Sequence, residues 1–233
     1  MMLRARQGLL LLRPLAVAVP WGPLALAAGL SALILLPALL DDPAPAAALL
    51  ELRLAAVLLG AGASFAMTDG MAPTVVTATP RWLRQWLRLA IVVLPAALAW
   101  LALHSIAIAV LGSGATAPAG DLAVEAIVCG FTGVAGAAVA ARYRHTQTAA
   151  LAGPLTQFTL ATFTFFIDKQ HSPWLPPGSP NWSTVHRYWL LGLPIIAITL
   201  LLANRGTWPL RRPSFRQTPS QLRITIEPDR ISR

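Results

Sequence analysis

Long uninterrupted blocks of apolar residues dominate the chain, in place of the short alternation that marks amphipathic helices and strands. Six of these blocks reach or approach the roughly 20 residues that an α-helix needs to cross the apolar core of a bilayer. They cover residues 17–40, 49–67, 87–111, 122–141, 149–167 and 188–203. The pattern predicts an all-α polytopic membrane protein with six transmembrane helices.

Basic residues fall in every second connection between these blocks. They are Arg4, Arg6 and Arg13 before the first block, Arg81, Arg84 and Arg88 after the second, Arg142 and Arg144 after the fourth, and seven arginines from Arg205 to Arg233 after the sixth. Cytoplasmic loops carry the excess of Lys and Arg, so both termini are predicted to be cytoplasmic. Residues 1–205 then form a six-helix domain with an N-terminal interfacial lead-in, and residues 206–233 form a basic, largely disordered cytoplasmic tail.

The composition agrees with a membrane protein. The 233 residues are 56% hydrophobic and 12% charged, about half the charged fraction that is usual in soluble domains. The first apolar block is too long for a signal peptide and is interpreted as a retained helix. The net charge of +9 points to anionic lipids rather than nucleic acid, because the basic tail lacks the interleaved aromatic residues of a base-stacking surface. The single cysteine, Cys129, excludes an intrachain disulfide.

The segment TDGMAPTVVTATPRWLRQWLRLA, residues 68–90, separates the second and third blocks. In a helical projection Arg81, Arg84 and Arg88 share one face, whereas Trp82 and Trp86 lie on the other. A short helix in the inner headgroup layer fits this pattern, with Trp82, Trp86 and Arg88 as its interfacial anchor. In the simplest interpretation this helix is a lipid anchor that fixes the start of the third span.

The residues before that helix allow a second interpretation. Asp69 and Gly70 suit a turn, and Pro73 limits how far a helix could run. Together with Thr74 they would form a protruding turn that docks onto a cytoplasmic partner. The residues alone leave both interpretations open.

A family resemblance favours the docking turn. The chain resembles the permease subunit of a type-2 bacterial ABC exporter in five features. These are the basic lead-in MMLRARQGLLLLRPL, six spans, cytoplasmic termini, a main cytoplasmic break after span two, and a longest external loop between spans five and six. The sequence ASFAMTDGMAPTVVTATPRWLRQWLRLA also resembles a segment of membrane subunits of ABC systems from high-GC actinobacteria. The chain has no GxxxxGK[ST] motif, so the resemblance implies that a separate ATPase subunit holds ATP and magnesium.

The resemblance also implies partners and a location. The residues that would couple the chain to the ATPase are Asp69, Gly70, Pro73, Thr74, Arg81 and Arg84. A second permease copy would complete the transporter in a bacterial cytoplasmic membrane. Columns of small residues in the fourth and second blocks suit such a dimer, or equally the packing of helices within one chain.

Ionisable residues within or near the blocks are costly in lipid and tend to face a protein interior or water. Seven of them are predicted to lie in the outer half of the membrane or just above it: Glu51, Arg53, His104, Glu125, Asp168, His171 and His186. They predict a polar outer vestibule or gate. The alternative is that each extends separately into the headgroups.

Two further functions stay open at this point. One alternative is a membrane accessory or scaffold subunit with no pathway of its own. The other is an enzyme whose metal site would be formed by His104, Glu125, His171 and His186, since imidazole and carboxylate suit zinc. No HExxH motif is present, so no catalytic residue, metal or cofactor is assigned and the chain is expected not to be an enzyme.

Overall fold

The computed structural model describes residues 11–40, 45–68, 80–112, 119–144 and 147–205, and within these ranges it contains helices and no strands. The helices are α1 (Leu11–Ala18), α2 (Trp21–Leu40), α3 (Pro45–Ser64), α4 (Arg81–Leu111), α5 (Ala119–Tyr143), α6 (Ala152–Thr164) and α7 (Trp182–Asn204). Short 3₁₀ helices cover Phe65–Met67, Gln147–Leu151 and Lys169–His171. The all-α prediction is confirmed for these ranges. The predicted docking turn (Asp69, Gly70, Pro73, Thr74) and the tail 206–233 lie outside them.

Four helices, α3, α4, α5 and α7, are long and apolar enough to cross a membrane. A fifth candidate is the pair α1 and α2, which passes the same test together but is bent by 67° between the two helices. The fifth predicted block is different, because α6 has 13 residues and is about 20 Å long, short of the roughly 30 Å core. The described chain is therefore a helical bundle with four or five helices of spanning length, compatible with a multi-pass membrane protein.

Small residues let the central helices approach closely. A Cβ atom on Gly60 of α3 would lie 2.3 Å from the carbonyl oxygen of Gly130 in α5, so the two backbones touch at this point. Gly136 meets Thr156 of α6, and Gly153 meets Ser64 in the same way. These small residues serve contacts within one chain, as expected where helix association depends on close packing.

The helices define two ends of the bundle. At the arginine end lie Arg81 and Arg142, whose guanidinium groups donate to the carbonyls of Ala141 and Leu202. At the tryptophan end lie the connection between α6 and α7, residues 165–181, and the first turns of α5 and α7. Helices α3, α5 and α7 thus bring Arg53, Glu125 and His186 near the tryptophan end, whereas the arginines of α4 lie at the opposite end.

Candidate functional site: a buried Arg–Glu–His cluster

Three ionisable side chains from three helices meet near the tryptophan end. Arg53 of α3 donates from Nε to Oε2 of Glu125 in α5 at 2.6 Å, and from Nη2 to Oε1 at 2.8 Å. His186 of α7 places Nε2 2.7 Å from the same Oε1 atom. Their exposed fractions are 5% for Arg53, 0% for Glu125 and 7% for His186. We refer to these three residues as the Arg–Glu–His cluster.

The sequence places the cluster at similar depths on the three helices. Arg53, Glu125 and His186 lie roughly 6 to 12 Å along their helix axes from the first helical residue. A charged group at that depth among apolar neighbours is stable only when it is paired. The arginine fork matches the carboxylate with two parallel bonds, and this geometry is among the strongest that side chains make.

His186 faces a hydrogen-bond acceptor on each side of its ring. Nδ1 lies 3.0 Å from the carbonyl oxygen of Trp182, and Nε2 faces the carboxylate of Glu125. A carbonyl oxygen can only accept, and so can an ionised carboxylate. An imidazole with both nitrogens protonated therefore donates a hydrogen bond in both contacts. A neutral imidazole has one N–H group and donates in only one of them.

Arg53 also holds the α6–α7 connection over the end of the bundle. Its Nη1 donates to the carbonyl of Trp174 and its Nη2 to the carbonyl of Leu175, each at 3.2 Å. The guanidinium carbon lies 5.8 Å from the centre of the Trp174 ring, within cation–π range. The connection is secured further by the indole of Trp189, which donates to the carbonyl of Pro173 at 3.3 Å. One arginine thus ties α3 and α5 to the segment that covers them.

A pocket adjoins the cluster on the side of α7. The pocket is about 250 Å³ in volume and is lined by residues that include Asp121, Ser183, His186 and Arg187. The ring of Trp182 lies 3.8 Å, centre to centre, from that of His186, and its indole N–H donates to Asp121 at 3.0 Å. His186 therefore separates this pocket from the buried carboxylate of Glu125.

The seven residues predicted to line an outer vestibule do not form one open site. Arg53, Glu125 and His186 come together, but as a closed and buried cluster. Asp168 and His171 form a separate pair at 3.7 Å, with their side chains 69% and 61% exposed. The polar outer vestibule or gate therefore stays a prediction, and three of its seven residues meet in a closed, buried cluster.

The other two predicted residues lie outside the cluster contacts. His104 of α4 is buried and stacks on Trp100, with ring centres 5.1 Å apart and planes 13° from parallel. The indole of Trp100 donates in turn to the carbonyl of Leu52 at 3.2 Å. Glu51 is partly buried, and its Oε2 atom has no hydrogen-bond partner among the described residues.

At the arginine end, the predicted interfacial helix is the first part of the 31-residue helix α4. Arg88, expected as an anchor in the headgroups, is instead 1% exposed and donates to the carbonyls of Thr68 at 2.5 Å and Ala66 at 3.4 Å. Arg84 is likewise buried, at 5% exposed, whereas Trp82 is 44% exposed. The arginine face turns inward because the carbonyls at the end of a helix lack partners within that helix.

Some residues of the site were not singled out from the sequence. Trp174 and Leu175 contribute backbone carbonyls, and no sequence pattern identifies a carbonyl that will accept from a distant arginine. Trp174 and Trp182 carry a recognisable signal, because a tryptophan near a membrane boundary commonly finds a partner for its indole N–H. The partners here are Thr164, at 2.7 Å from Trp174, and Asp121.

Among the described residues, no group of three or more His, Cys, Asp or Glu side chains is arranged to hold a metal ion. His171 lies in its exposed pair with Asp168, and His104 stacks on Trp100, so the four residues considered for a metal site do not converge. In comparisons with known proteins, no family model, curated protein or solved structure matches this chain.

Proposed function

We propose that the chain is the permease subunit of an ATP-driven ABC transporter, an exporter as its sequence resemblance implies, and that a separate subunit hydrolyses ATP. The observation that supports this most is the buried Arg–Glu–His cluster. Ionisable groups within a membrane are costly, and they commonly mark substrate or ion pathways. Here the cluster joins three helices to the segment that covers one end of the bundle.

In this proposal the chain crosses the membrane six times and the arginine end is cytoplasmic. The 3₁₀ helix Gln147–Leu151 and α6 together extend about 30 Å, which is enough for the sixth crossing. The residues of this segment support the direction, because Gly153 packs on Ser64 near the arginine end and Thr164 accepts from Trp174 at the other. The location is a bacterial cytoplasmic membrane with anionic lipids at the arginine end.

The cluster then acts as an outer gate. Opening the covered end requires Arg53 to release the carbonyls of Trp174 and Leu175 or to move together with the α6–α7 connection. Its ion pair with Glu125 keeps the guanidinium on α3 and α5 while the connection moves. Movement of α7 would separate His186 from Glu125, so the same rearrangement couples that helix to the gate.

The ATPase would act at the opposite end. Arg88 holds Thr68, the last described residue before the predicted docking turn. A movement of the ATPase subunit that displaces the predicted docking turn (Asp69, Gly70, Pro73 and Thr74) would therefore be transmitted to both α3 and α4. Arg81 and Arg84 lie at the start of α4, which follows the predicted turn in the sequence, and Arg81 connects α4 to α5 through the carbonyl of Ala141.

Copurification tests this proposal. The tagged chain should be purified from membranes of its native host together with any nucleotide-binding subunit that it retains, and assayed for ATP hydrolysis in nanodiscs. We expect a stable complex that hydrolyses ATP, and no hydrolysis above a mock preparation by the chain alone. Failure to retain any nucleotide-binding subunit, or hydrolysis by the isolated chain, would contradict the proposal.

An accessory subunit without a pathway is the second candidate. The observation that favours it is the complete pairing of the cluster: both carboxylate oxygens of Glu125 accept, and Arg53 donates to two carbonyls besides. Such a cluster can stabilise the packing of the helices without taking part in transport. An intact complex whose ATP hydrolysis is insensitive to Arg53→Met and Glu125→Leu together would favour this candidate.

A further inference from the structure

A groove runs along the bundle between α4 and α5, with α3 as its floor. Its volume is about 230 Å³. Both α4 and α5 pack against α3, but their described residues make few direct contacts with each other. One such contact is the hydrogen bond from Arg81 to the carbonyl of Ala141 at the arginine end. The two helices therefore leave a gap along the middle of their length, which we call the α4–α5 groove.

The described residues that line the α4–α5 groove are apolar throughout. They are alanines, glycines and branched aliphatic residues, together with Trp100 and Phe131. The one polar atom in these side chains is the indole N–H of Trp100, and it already donates to the carbonyl of Leu52. A polar ligand here would lose its hydrogen bonds to water without replacement. The groove therefore favours a hydrocarbon.

The groove lies at the depth of the bilayer core. Helices α3, α4 and α5 are all long and apolar enough to cross a membrane. On α5 the lining residues run from Ala123 to Val134, about 6 to 22 Å along the axis from the first helical residue. Leu101 and Ile127 line the groove and are 50% and 45% exposed, so it opens on the outer surface of the bundle. In a chain that crosses the membrane, this surface meets lipid.

The size of the groove decides between the two apolar occupants that are present at that depth, a helix of a second copy and a hydrocarbon chain. The lining residues of α4 extend from Val93 to Leu101, about 12 Å, so the volume corresponds to a mean cross-section of roughly 20 Å². A helix about 10 Å in diameter has a cross-section of about 80 Å² and could place only side chains in the groove. A cavity of about 150 Å³ accommodates the six carbons of benzene, so 230 Å³ accommodates roughly nine carbons.

We propose that the α4–α5 groove is a binding site for one acyl chain of a membrane phospholipid. Lipid tails are as apolar as the wall of the groove, so the hydrophobic effect gives no preference over the surrounding lipid. The preference comes from van der Waals contact, because three helices surround the bound chain in place of mobile neighbouring tails. The inference rests on the embedding of the protein in a membrane and holds whether or not the protein is a permease.

The groove lies beside residues that position two members of the Arg–Glu–His cluster. Ala126 lines the groove and is next to Glu125 in α5. Trp100 lines it on α4 and holds the carbonyl of Leu52, which is next to Arg53 in α3. Because α4 and α5 share few direct contacts, a bound acyl chain supplies the contact between them at this level. The site therefore links the bilayer to the helices that carry the cluster.

Retention of a photoreactive lipid tests the site. The full chain is reconstituted in nanodiscs with a phospholipid that carries a diazirine group in the middle of one acyl chain, transferred to detergent, and washed until bulk lipid is removed. Native mass spectrometry then measures the retained lipid and the number of copies. We expect the wild type to retain one lipid per chain. Irradiation after the wash should cross-link it to the lining segments of α4 and α5, and not to the exposed face of α6 at Phe158 and Phe163.

Ala97→Phe and Ala102→Phe form a matched pair of variants. Both alanines are exposed on α4, but Ala97 lines the groove, whereas Ala102 lies about 140° further around the helix. A phenyl group at position 97 fills the groove, so Ala97→Phe should lose the retained lipid and its cross-link. Ala102→Phe should retain both.

The inference is overturned if the wild type retains no lipid, if the cross-links lie outside the groove, or if Ala97→Phe retains the lipid. A lipid-free wild-type dimer that becomes monomeric in Ala97→Phe would show that a second copy covers the groove instead. Should Ala97→Phe fail to fold, Ala123→Phe decides, because it fills the groove from α5. Copurification with the ATPase judges the proposed function separately, since the lipid assay contains no partner subunit. A complex without a retained lipid would refute the site alone.

Discussion

At the scale of single residues, the stability of the tryptophan end depends strongly on Arg53. Its guanidinium donates to one carboxylate and two backbone carbonyls, so three acceptor groups in two segments lose a partner if it is removed. A buried ion pair is not strongly stabilising overall, because desolvation offsets most of the attraction. Breaking it from one side is nevertheless costly, since the remaining charge stays buried without its counter-charge.

This asymmetry gives a stability prediction for the cluster. Arg53→Met or Glu125→Leu alone should lower the free energy of unfolding by about 3–5 kcal/mol, whereas the double variant should recover most of that loss because no unpaired charge remains. Thermal unfolding in one detergent would measure both. His171→Gln is the control, because its pair with Asp168 is exposed and its removal should have little effect. Additive losses in the double variant would contradict the pairing.

At the scale of elements, the sequence predicted which segments are helical better than how long they are or what they face. Apolar blocks predicted α2 to α5 and α7 well, but α7 begins at Trp182, six residues before the predicted block, because the polar turn that carries His186 is helical. Helical projection grouped Arg81, Arg84 and Arg88 on one face, and Arg84 and Arg88 are both buried. It could not show that this face meets protein, since burial depends on neighbours distant in sequence.

Contacts between the residues of the site could not be predicted from the sequence either. Arg53, Glu125 and His186 were identifiable as charges in apolar surroundings, but their separation by 72 and 61 residues gave no sign that they meet. Nor could the sequence indicate that Gly60 and Gly133 enclose the amide of Gln157. Individual candidates could thus be predicted from residue type, whereas their contacts depended on helix packing.

The inward face of α4 leads to a prediction for the end of α3. Arg88→Met removes two hydrogen bonds to the carbonyls of Ala66 and Thr68, and a bond to a charged group contributes about 1.5–3 kcal/mol. Amide hydrogen exchange should therefore accelerate in the 3₁₀ helix Phe65–Met67. Arg144→Met, at an exposed position after α5, is the matched control and should leave that exchange unchanged. Equal protection in Arg88→Met would show that the arginine does not hold this segment.

At the scale of the whole molecule, the path of the chain depends on whether residues 147–164 cross the membrane. Their combined length of about 30 Å permits a crossing, and α6 packs along α5 from Gly136 toward Trp174. Its surface suits lipid, since Phe158 and Phe163 are 72% and 66% exposed. We therefore expect residues 147 and 179 to lie on opposite sides of the membrane.

Cysteine labelling decides this directly. In a Cys129→Ala background, Ser179→Cys should react with an impermeant maleimide in intact cells, whereas Thr146→Cys should react only after the membrane is permeabilised. The arginine asymmetry sets which side is which, because positively charged connections remain in the cytoplasm. Labelling of both positions from outside, or of neither, would mean that residues 147–164 do not cross and that the chain has an odd number of spans. Labelling of Thr146→Cys alone would reverse the orientation and place the Arg–Glu–His cluster on the cytoplasmic side, where it could not be an outer gate.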